Sequence, residues 1–369
     1  MKIEQLVFYY MGICAAMILF NCVVLIQNFL RRKRINRKDK RLKSKIRAHL
    51  ERLECGEGLD EEHLKQMDRV FKRVAHLKSF EDSMDELIQE KPELCEKYIQ
   101  EISPCFVNAA SDYFKRDIME ATYFAGLIRK YKVAEKGNKD FWVTEMEKLL
   151  QTASVYCRDN ALHIMYGMGN AKEIMSALLL LDGHQVFHHS KLIHDGLLRF
   201  RGDKKELLEE IWRVFERFSP KMQVTLISYI RLSSGECCEQ VFEVMMCPNQ
   251  DDEVYFACMR YFGKFYYEPV YPILLDALSE RTDQRWEKAA IAATVLQNYQ
   301  SERTVDVLMQ ALHSSNWYVR SNAGATLESF GLTYADMAEV FEGNDRYARE
   351  ILQYWMDYRS VKEGEVSTL

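Results

Sequence analysis

The chain has 369 residues, 48% of them hydrophobic and 28% charged, a balance that excludes an intrinsically disordered protein. Its formal net charge of −5 hides a sharp division: residues 1–47 are basic, and the rest carries 38 Lys/Arg against 53 Asp/Glu, a net charge of −15. A body of that sign is repelled by phosphate backbones, so no nucleic-acid partner is expected.

Six prolines and sixteen glycines are few for this length, and long uninterrupted helices are the natural consequence. The first is "LVFYYMGICAAMILFNCVVLIQNFL", Leu6 to Leu30, 25 residues without a charge. As a helix it spans about 37 Å, enough to cross a hydrocarbon core of about 30 Å. A cleaved signal peptide would need a basic leader and a small-residue cleavage site. Only Lys2 precedes the stretch and no A-x-A follows it, so residues 1–30 are read as an uncleaved transmembrane anchor. Gly12 and Ala16 make a small-xxx-small pair and Asn21 puts an amide deep in the span. Both suit pairing with another transmembrane helix; a lone anchor tolerating one Asn is the alternative.

Residues 31–47 hold eleven Lys/Arg against one acid, Asp39. Basic residues beside a span stay on the cytoplasmic side, which predicts a single-pass protein of the cell membrane with its N-terminus outside and the bulk of the chain cytoplasmic. Arg31, Arg32, Lys33, Arg34, Arg37 and Lys38 are candidates for contact with anionic lipid headgroups, at roughly 1 kcal/mol each.

Residues 48–145 read as a helical adaptor. "CGEG" (55–58) is a candidate hinge. The stretch 60–90 has the pattern of one long amphipathic helix with Leu64, Met67, Val70 or Phe71, Val74 and Leu77 on one side. Pro92 and Ser103-Pro104 open two further helices, and 117–133 forms another.

From residue 146 a repeat emerges. Apolar blocks at Ile174–Leu178, Leu207–Ile211, Val241–Met245, Leu274–Leu278 and Leu308–Leu312 are spaced by 33, 34, 33 and 34 residues, the signature of stacked helical hairpins. The last hairpin is the clearest. Val305, Leu308, Met309 and Leu312 make one stripe on its first helix. "HSSN" ends that helix, and Asn316 supplies an N-cap. The second helix carries Val319, Ala323, Leu327 and Phe330 and stops at Gly331, a natural C′ residue. Trp286 and Trp317 open the second helices of neighbouring hairpins. The sentence "NWYVRSNAGATLESFG" (316–331) is echoed by "YCRDNALHIMYGMG" (156–169): Tyr318, Arg320, Asn322, Ala323 and Gly331 sit over Tyr156, Arg158, Asn160, Ala161 and Gly169. Small residues such as Ala323, Gly324 and Ala325 let helix axes approach closely. The two copies are expected at the two ends of one array.

"VDVLMQALH" followed by "NWYVRSNAGATLESFG" resembles a HEAT repeat of the short bacterial kind first named after phycobilin-lyase-like sequences. In that family an acid or amide in the turn precedes V-R-x-x-A-x-x-A-L-x-x-φ-G; here Asn316, Val319-Arg320, Ala323, Leu327 and Gly331 take those places. The resemblance covers roughly 147–331, strongly at both ends and by period alone in the middle. It implies an all-α protein, a single transmembrane helix followed by an α-solenoid of HEAT-like hairpins over 146–369 with a C-terminal cap. It also implies that the motif arginine bonds the turn of an adjacent repeat, so that Arg158 and Arg320 are structural.

Little in the sequence points to chemistry. No phosphate-binding glycine loop, nucleophile elbow or H-E-x-x-H motif is present. His184, His188 and His189 are weak metal candidates against the alternative of solvated or packed histidines. Cys237-Cys238 admits a redox or metal reading beside the plainer one of small buried side chains. The run 255–271 is dense in aromatics: Tyr255, Tyr261, Tyr266, Tyr267 and Tyr271 are either core filling or a partner-binding ridge. The expected protein is not an enzyme and needs no cofactor. It is a membrane-anchored scaffold that binds a protein, an integral-membrane enzyme or transporter. The resemblance extends to membrane-anchored HEAT proteins found in Gram-positive bacteria beside polysaccharide-synthesising glycosyltransferases, and so implies an accessory subunit of such a synthase. The alternatives are a HEAT-like enzyme such as a bilin lyase, or a ligand-responsive membrane regulator.

Overall fold

The structure is a computed structural model that describes the backbone of residues 3–184, 188–279 and 286–366, with side chains throughout except at 3–10, 14–15, 28–38 and 359–366. Every regular element in these residues is a helix. The chain divides into two compact units, residues 1–168 and 169–369.

The first unit holds α1 (Ile3–Glu54), α2 (Glu61–Phe71), α3 (Val74–Glu90), α4 (Pro92–Glu101), α5 (Ser103–Tyr113), α6 (Ile118–Lys130), α7 (Lys139–Leu150) and α8 (Val155–Met168). The expected start of the array at residue 146 falls inside α7. Helix α1 is a single helix of 52 residues. In its first half Met11, Ile13, Met17, Ile18, Leu19, Phe20 and Leu25 are all exposed, so the apolar surface runs round the helix rather than down one stripe. Among the described residues no helix is long and apolar enough to cross a membrane; the expected span Leu6–Leu30 lies partly outside them, at 6–10, 14–15 and 28–30. The second half of α1 docks. Leu42, Ile46 and Leu50, four residues apart on one face, are buried against α3 and α4. Ion pairs from Lys43 to Glu86, Arg47 to Glu90 and Lys91 to Glu54 flank this seam. With Lys45, which donates to Gln66 Oε1 at 2.8 Å, three of the eleven basic residues of 31–47 are engaged by the body itself.

Two expectations for this unit are corrected. The "CGEG" stretch is a fixed cap rather than a hinge. Gly56 takes φ +82°, Glu57 N–H donates to Arg52 O at 3.0 Å, and Gly56 N–H donates to Leu53 O at 3.1 Å, the paired bonds of a Schellman motif. The single helix expected over 60–90 is broken at Arg73, whose backbone is extended (φ −128°, ψ 127°). The break turns Phe71 onto Phe80 and Phe106, with ring centroids 5.0 and 4.5 Å apart. A straight helix could not close that cluster.

The second unit is a stack of helical hairpins: α9 (Ala171–Gly183), α10 (Ser190–Leu198), α11 (Lys204–Val214), α12 (Pro220–Ser233), α13 (Cys238–Met245), α14 (Asp252–Phe262), α15 (Tyr271–Ser279), α16 (Trp286–Val295), α17 (Glu302–Ala311), α18 (Trp317–Ser329), α19 (Ala338–Glu342) and α20 (Arg346–Val366). The repeating apolar blocks fall on the first helix of each hairpin, α9, α11, α13, α15 and α17. Both ends of each block, from Ile174 and Leu178 to Leu308 and Leu312, are buried. Val305 and Met309, expected on the same stripe, are only half-buried, because Thr304 and Ala311 take the inner positions.

The second helices pack in sequence, α12 on α14, α14 on α16, α16 on α18 and α18 on α20. Alanines make this possible: Ala292, Ala293 and Ala323 are fully buried. Gly324 is tighter still, since a Cβ there would lie 2.9 Å from the Trp355 ring. Side chains then cross-link the stack. Asn322 donates to Ala290 O and Thr326 to Ala293 O, both at 2.8 Å; Asn298 donates to Gly263 O at 2.6 Å, and Lys264 to Arg231 O at 3.0 Å. Each bond uses a spare lone pair of a neighbouring helix's carbonyl.

The echoed sentence does the same work in each unit. Gly169 and Gly331 take φ +73° and +74°, where glycine is favoured. Ala161 and Ala323 are fully buried. Asn160 donates to Thr122 O in α6 as Asn322 does to Ala290 O in α16. Asn316 caps α18 through Tyr318 N–H and Val319 N–H. The arginines are structural but not as the resemblance implies: Arg158 donates to Thr152 O and Ala153 O, and Arg320 to Ser314 O and Ser315 O. Each closes the turn of its own hairpin, because five or six residues back along the chain is where an extended guanidinium on the first helical turn reaches. A third copy is present in α20, where Asp345 caps Tyr347 N–H and Ala348 N–H and Arg349 donates to Gly343 O.

Ala323→Leu has no space to enter and should destabilise a chain of residues 39–369 by about 1–3 kcal/mol, read as a lower thermal midpoint; an unchanged midpoint would contradict close stacking. A second expectation concerns pH. His63 is buried, its ring 3.6 Å from that of His49 and its Nε2 2.8 Å from the Tyr98 hydroxyl. Burial first, then the charge of His49, lowers the His63 pKa from 6.5 to about 4, and burial lowers that of His49. The folded protein holds these rings neutral while the unfolded chain protonates them near 6.5. The stability they contribute is therefore complete above pH 6.5 and is lost as pH falls toward 4. The urea midpoint should fall between pH 7.5 and 5.5, and less so in His63→Gln.

Candidate protein-docking groove

The second helices of the hairpin stack leave a groove of about 610 Å³ across α12, α14, α16 and α18. Its floor is a strip of α16: buried Ala290 and Val295, half-buried Ile291 and exposed Thr294. These side chains are small or short because α16 is clasped by α14 and α18 on either side, which leaves a shallow trough. Gly263 helps to define it, since a Cβ there would come within 3.2 Å of Val295 and hold α14 away. One wall is basic: Arg231 and Leu232 end α12, and Arg260 and Lys264 end α14. The other wall is aromatic, with Trp286 and Tyr318 stacked at 5.2 Å and 21°. Glu287 is the one acid among the described lining residues.

Among the described residues no ion pair involves Arg231, Arg260 or Lys264, although the chain around them carries an excess of acid. Arg260 is exposed yet hemmed in by protein, and desolvation pushes its pKa below the ordinary arginine value; Glu253 opposes this and the Arg231 charge adds to it. Lys264 donates to Arg231 O, which fixes the two on the same wall. An anionic group between them would gain from the Arg231 guanidinium and the Lys264 ammonium.

Rings and cations continue along the first turns of these helices. Lys288 lies 5.5 Å over the Tyr255 ring, and Arg320 lies 5.4 Å over that of Tyr347. Tyr318 and Tyr347 are 56% and 66% exposed, and so is Tyr156, at 73%, in the copy of the first unit. These tyrosines hold the same register position two residues after the helix cap.

The expected tyrosine ridge is only partly one surface. Tyr261 is completely buried and donates to Ser234 O, which removes it from any ridge. Tyr271 bonds Ser301 and Thr304 and stacks on Tyr299. Tyr267 stacks on Phe262, and its backbone N–H donates to the Tyr299 hydroxyl. Tyr255 is half-buried, and Tyr266, 61% exposed, is the outward one. The histidines do not converge as far as they are described: His184 caps the end of α9, His188 is buried, and His189 caps the start of α10 through Lys191 N–H. Among the described residues no group of three or more His, Cys, Asp or Glu is placed to hold a metal. Cys237 is buried and Cys238 lies against Gly235 O and the Tyr261 hydroxyl. Gly12 has nothing within 4 Å of a Cβ position, and Ala16 and Asn21 are exposed. The side chains of Arg31, Arg32, Lys33, Arg34, Arg37 and Lys38 lie outside the described residues.

The sequence reading missed the basic wall, although the signal was there. Arg231, Lys264 and Gln297 are 33 residues apart in succession, the repeat period itself, and all three line the groove.

If the groove is electropositive, iodide should quench the fluorescence of Trp286 more than caesium does. The difference between wild type and Trp286→Phe isolates that ring, and the iodide preference should disappear in Arg231→Gln/Arg260→Gln. Equal quenching by the two ions would contradict the described charge.

Comparison with known families places HEAT repeats on residues 271–353, which is α15 through α20 and includes the aromatic wall of the groove. No curated protein matches the chain. The chain thus carries HEAT repeats in its C-terminal part, a helical scaffold of the kind used for protein interaction.

Proposed function

We propose that the chain is a membrane-anchored scaffold that holds its HEAT-type hairpins at the cytoplasmic face and docks a protein partner there. The observation that carries the reading is the groove: a solvent-facing trough on the hairpin stack whose cations have no ion-pair partner among the described residues and whose rings are stacked for contact. Exposed cations and rings arranged that way suit a partner. The anchor is supported by the uncharged stretch Leu6–Leu30, by apolar side chains exposed round α1, and by the continuity of that helix into the part docked on α3 and α4. Arg31 to Lys38 would then lie at the headgroups, while Lys43 and Arg47 hold the body.

The partner we infer is an integral-membrane enzyme or transporter, and more specifically a glycosyltransferase of polysaccharide synthesis. That specific client is supported by resemblance to bacterial membrane-anchored HEAT proteins of the lyase-like type. On this reading the chain performs no chemistry of its own and carries no cofactor.

Two measurements test it. The full-length chain should remain in the membrane pellet after alkaline extraction, and a chain lacking residues 1–38 should not; release of the full-length chain would remove the anchor. Crosslinking in native membranes, followed by mild-detergent purification, should give a stoichiometric membrane protein bound to the chain. Recovery of the chain alone would count against the scaffold.

A further inference from the structure

We infer that the groove recognises an acidic segment of its partner, one that presents carboxylates to Arg231, Arg260 and Lys264 and an apolar or aromatic side chain to Trp286 and Tyr318. The inference rests on the scaffold reading and names the chemistry of what docks.

Charge complementarity carries it. The chain beyond residue 47 has a net charge of −15, yet among the described residues three cations and one acid line this trough. The sign of the surface reverses where the fold offers a cavity. Neither Arg231 nor Arg260 has an ion-pair partner among the described residues, and the Arg231 charge bears on the neighbouring Arg260 guanidinium. A carboxylate set between two such guanidiniums relieves their repulsion and accepts forked hydrogen bonds from either. Lys264 gives one hydrogen bond to Arg231 O and has donors left for a second carboxylate.

The remainder of the groove selects against a bare anion. Leu232 is 45% exposed at the basic wall, half-buried Ile291 lies on the floor, and the Trp286–Tyr318 pair closes the far side. An inorganic phosphate would leave this apolar surface wet, whereas an apolar side chain two or three residues from the carboxylates would cover it. The volume of about 610 Å³ holds a short segment rather than the face of a domain. A single-stranded nucleic acid also combines negative charge with stacking rings; the net charge of −15 beyond residue 47 opposes its continuing backbone more than it opposes a short peptide.

The test uses full-length chain in detergent micelles and three fluorescein-labelled probes. One is a fourteen-residue peptide alternating Glu with Phe or Leu, one is its Lys counterpart with the same apolar residues, and one is an oligothymidylate of the same length. The acidic peptide should bind, weaken as salt rises, and lose at least about tenfold in affinity to Arg231→Glu/Arg260→Glu. The Lys peptide should bind that charge-reversed chain better than wild type, which also shows that the variant is folded. No binding of the acidic peptide, binding indifferent to charge reversal, or tighter binding of the oligothymidylate would each overturn the inference. Capture of the membrane partner by the charge-reversed chain separates the two readings: a partner still retained there while the acidic peptide fails leaves the scaffold standing and sinks the groove, and a partner absent from the wild-type chain sinks the scaffold itself.

Discussion

Successive second helices of the hairpin stack lie close enough for a side chain of one to bond the backbone of the next. Ala292, Ala293 and Ala323 are buried without bulk, and Gly324 leaves no space between α18 and Trp355. Because the axes are that close, Asn322 and Thr326 reach the carbonyls of Ala290 and Ala293. Each such bond satisfies a buried polar group that would otherwise cost roughly 1–3 kcal/mol. The stack is held from within by its own backbone, and no hairpin need be stable alone. The groove follows from the same packing, since a floor of short side chains is what remains when alanine-rich helices are clasped on both sides.

That arrangement separates two kinds of residue that a sequence lists together. Arg158 and Arg320 spend their donors on the turns of their own hairpins, and Asn322 on a neighbour's carbonyl. Arg231 and Arg260, of the same chemical types and also on second helices, have no ion pair among the described residues. The first kind builds the scaffold, and the second is available to a ligand. Helix α1 adds the remaining element of the proposed function. Its last turns are buried at Leu42, Ile46 and Leu50, and it runs without interruption from the apolar stretch.

Much of the fold was legible in the sequence because its cause is periodic. The apolar blocks at 33–34-residue spacing landed on buried first helices, and Asn316 and Gly331 landed on the cap and the C′ position. What was misread depends on distances that spacing does not encode. Arg73 breaks an otherwise continuous amphipathic pattern because Phe71 must turn onto Phe106. Gly56 closes a cap rather than freeing a hinge, because the carbonyls of Arg52 and Leu53 are there to receive bonds. The functional surface was harder. Tyr261 and Tyr266 are indistinguishable in composition, yet one is sealed in the core and the other faces solvent. Arg231 and Lys264 follow the repeat period, and only the assembled groove shows them facing the same trough. The last copy of the helix-opening pattern, Asp345, Tyr347, Ala348 and Arg349, was hidden because the rest of its hairpin is atypical.

The central claim is that the groove's guanidiniums are held for a partner and not for the fold, and Arg260 tests it most directly. Arg260 is exposed at the groove wall beside Arg231, and among the described residues no ion pair involves it. The thermal midpoint of a chain of residues 39–369 should be measured for Arg260→Gln beside wild type. The account predicts a midpoint equal to or above that of the wild type. A clear fall would show that Arg260 serves the stack, and would contradict the assignment of the groove to a ligand.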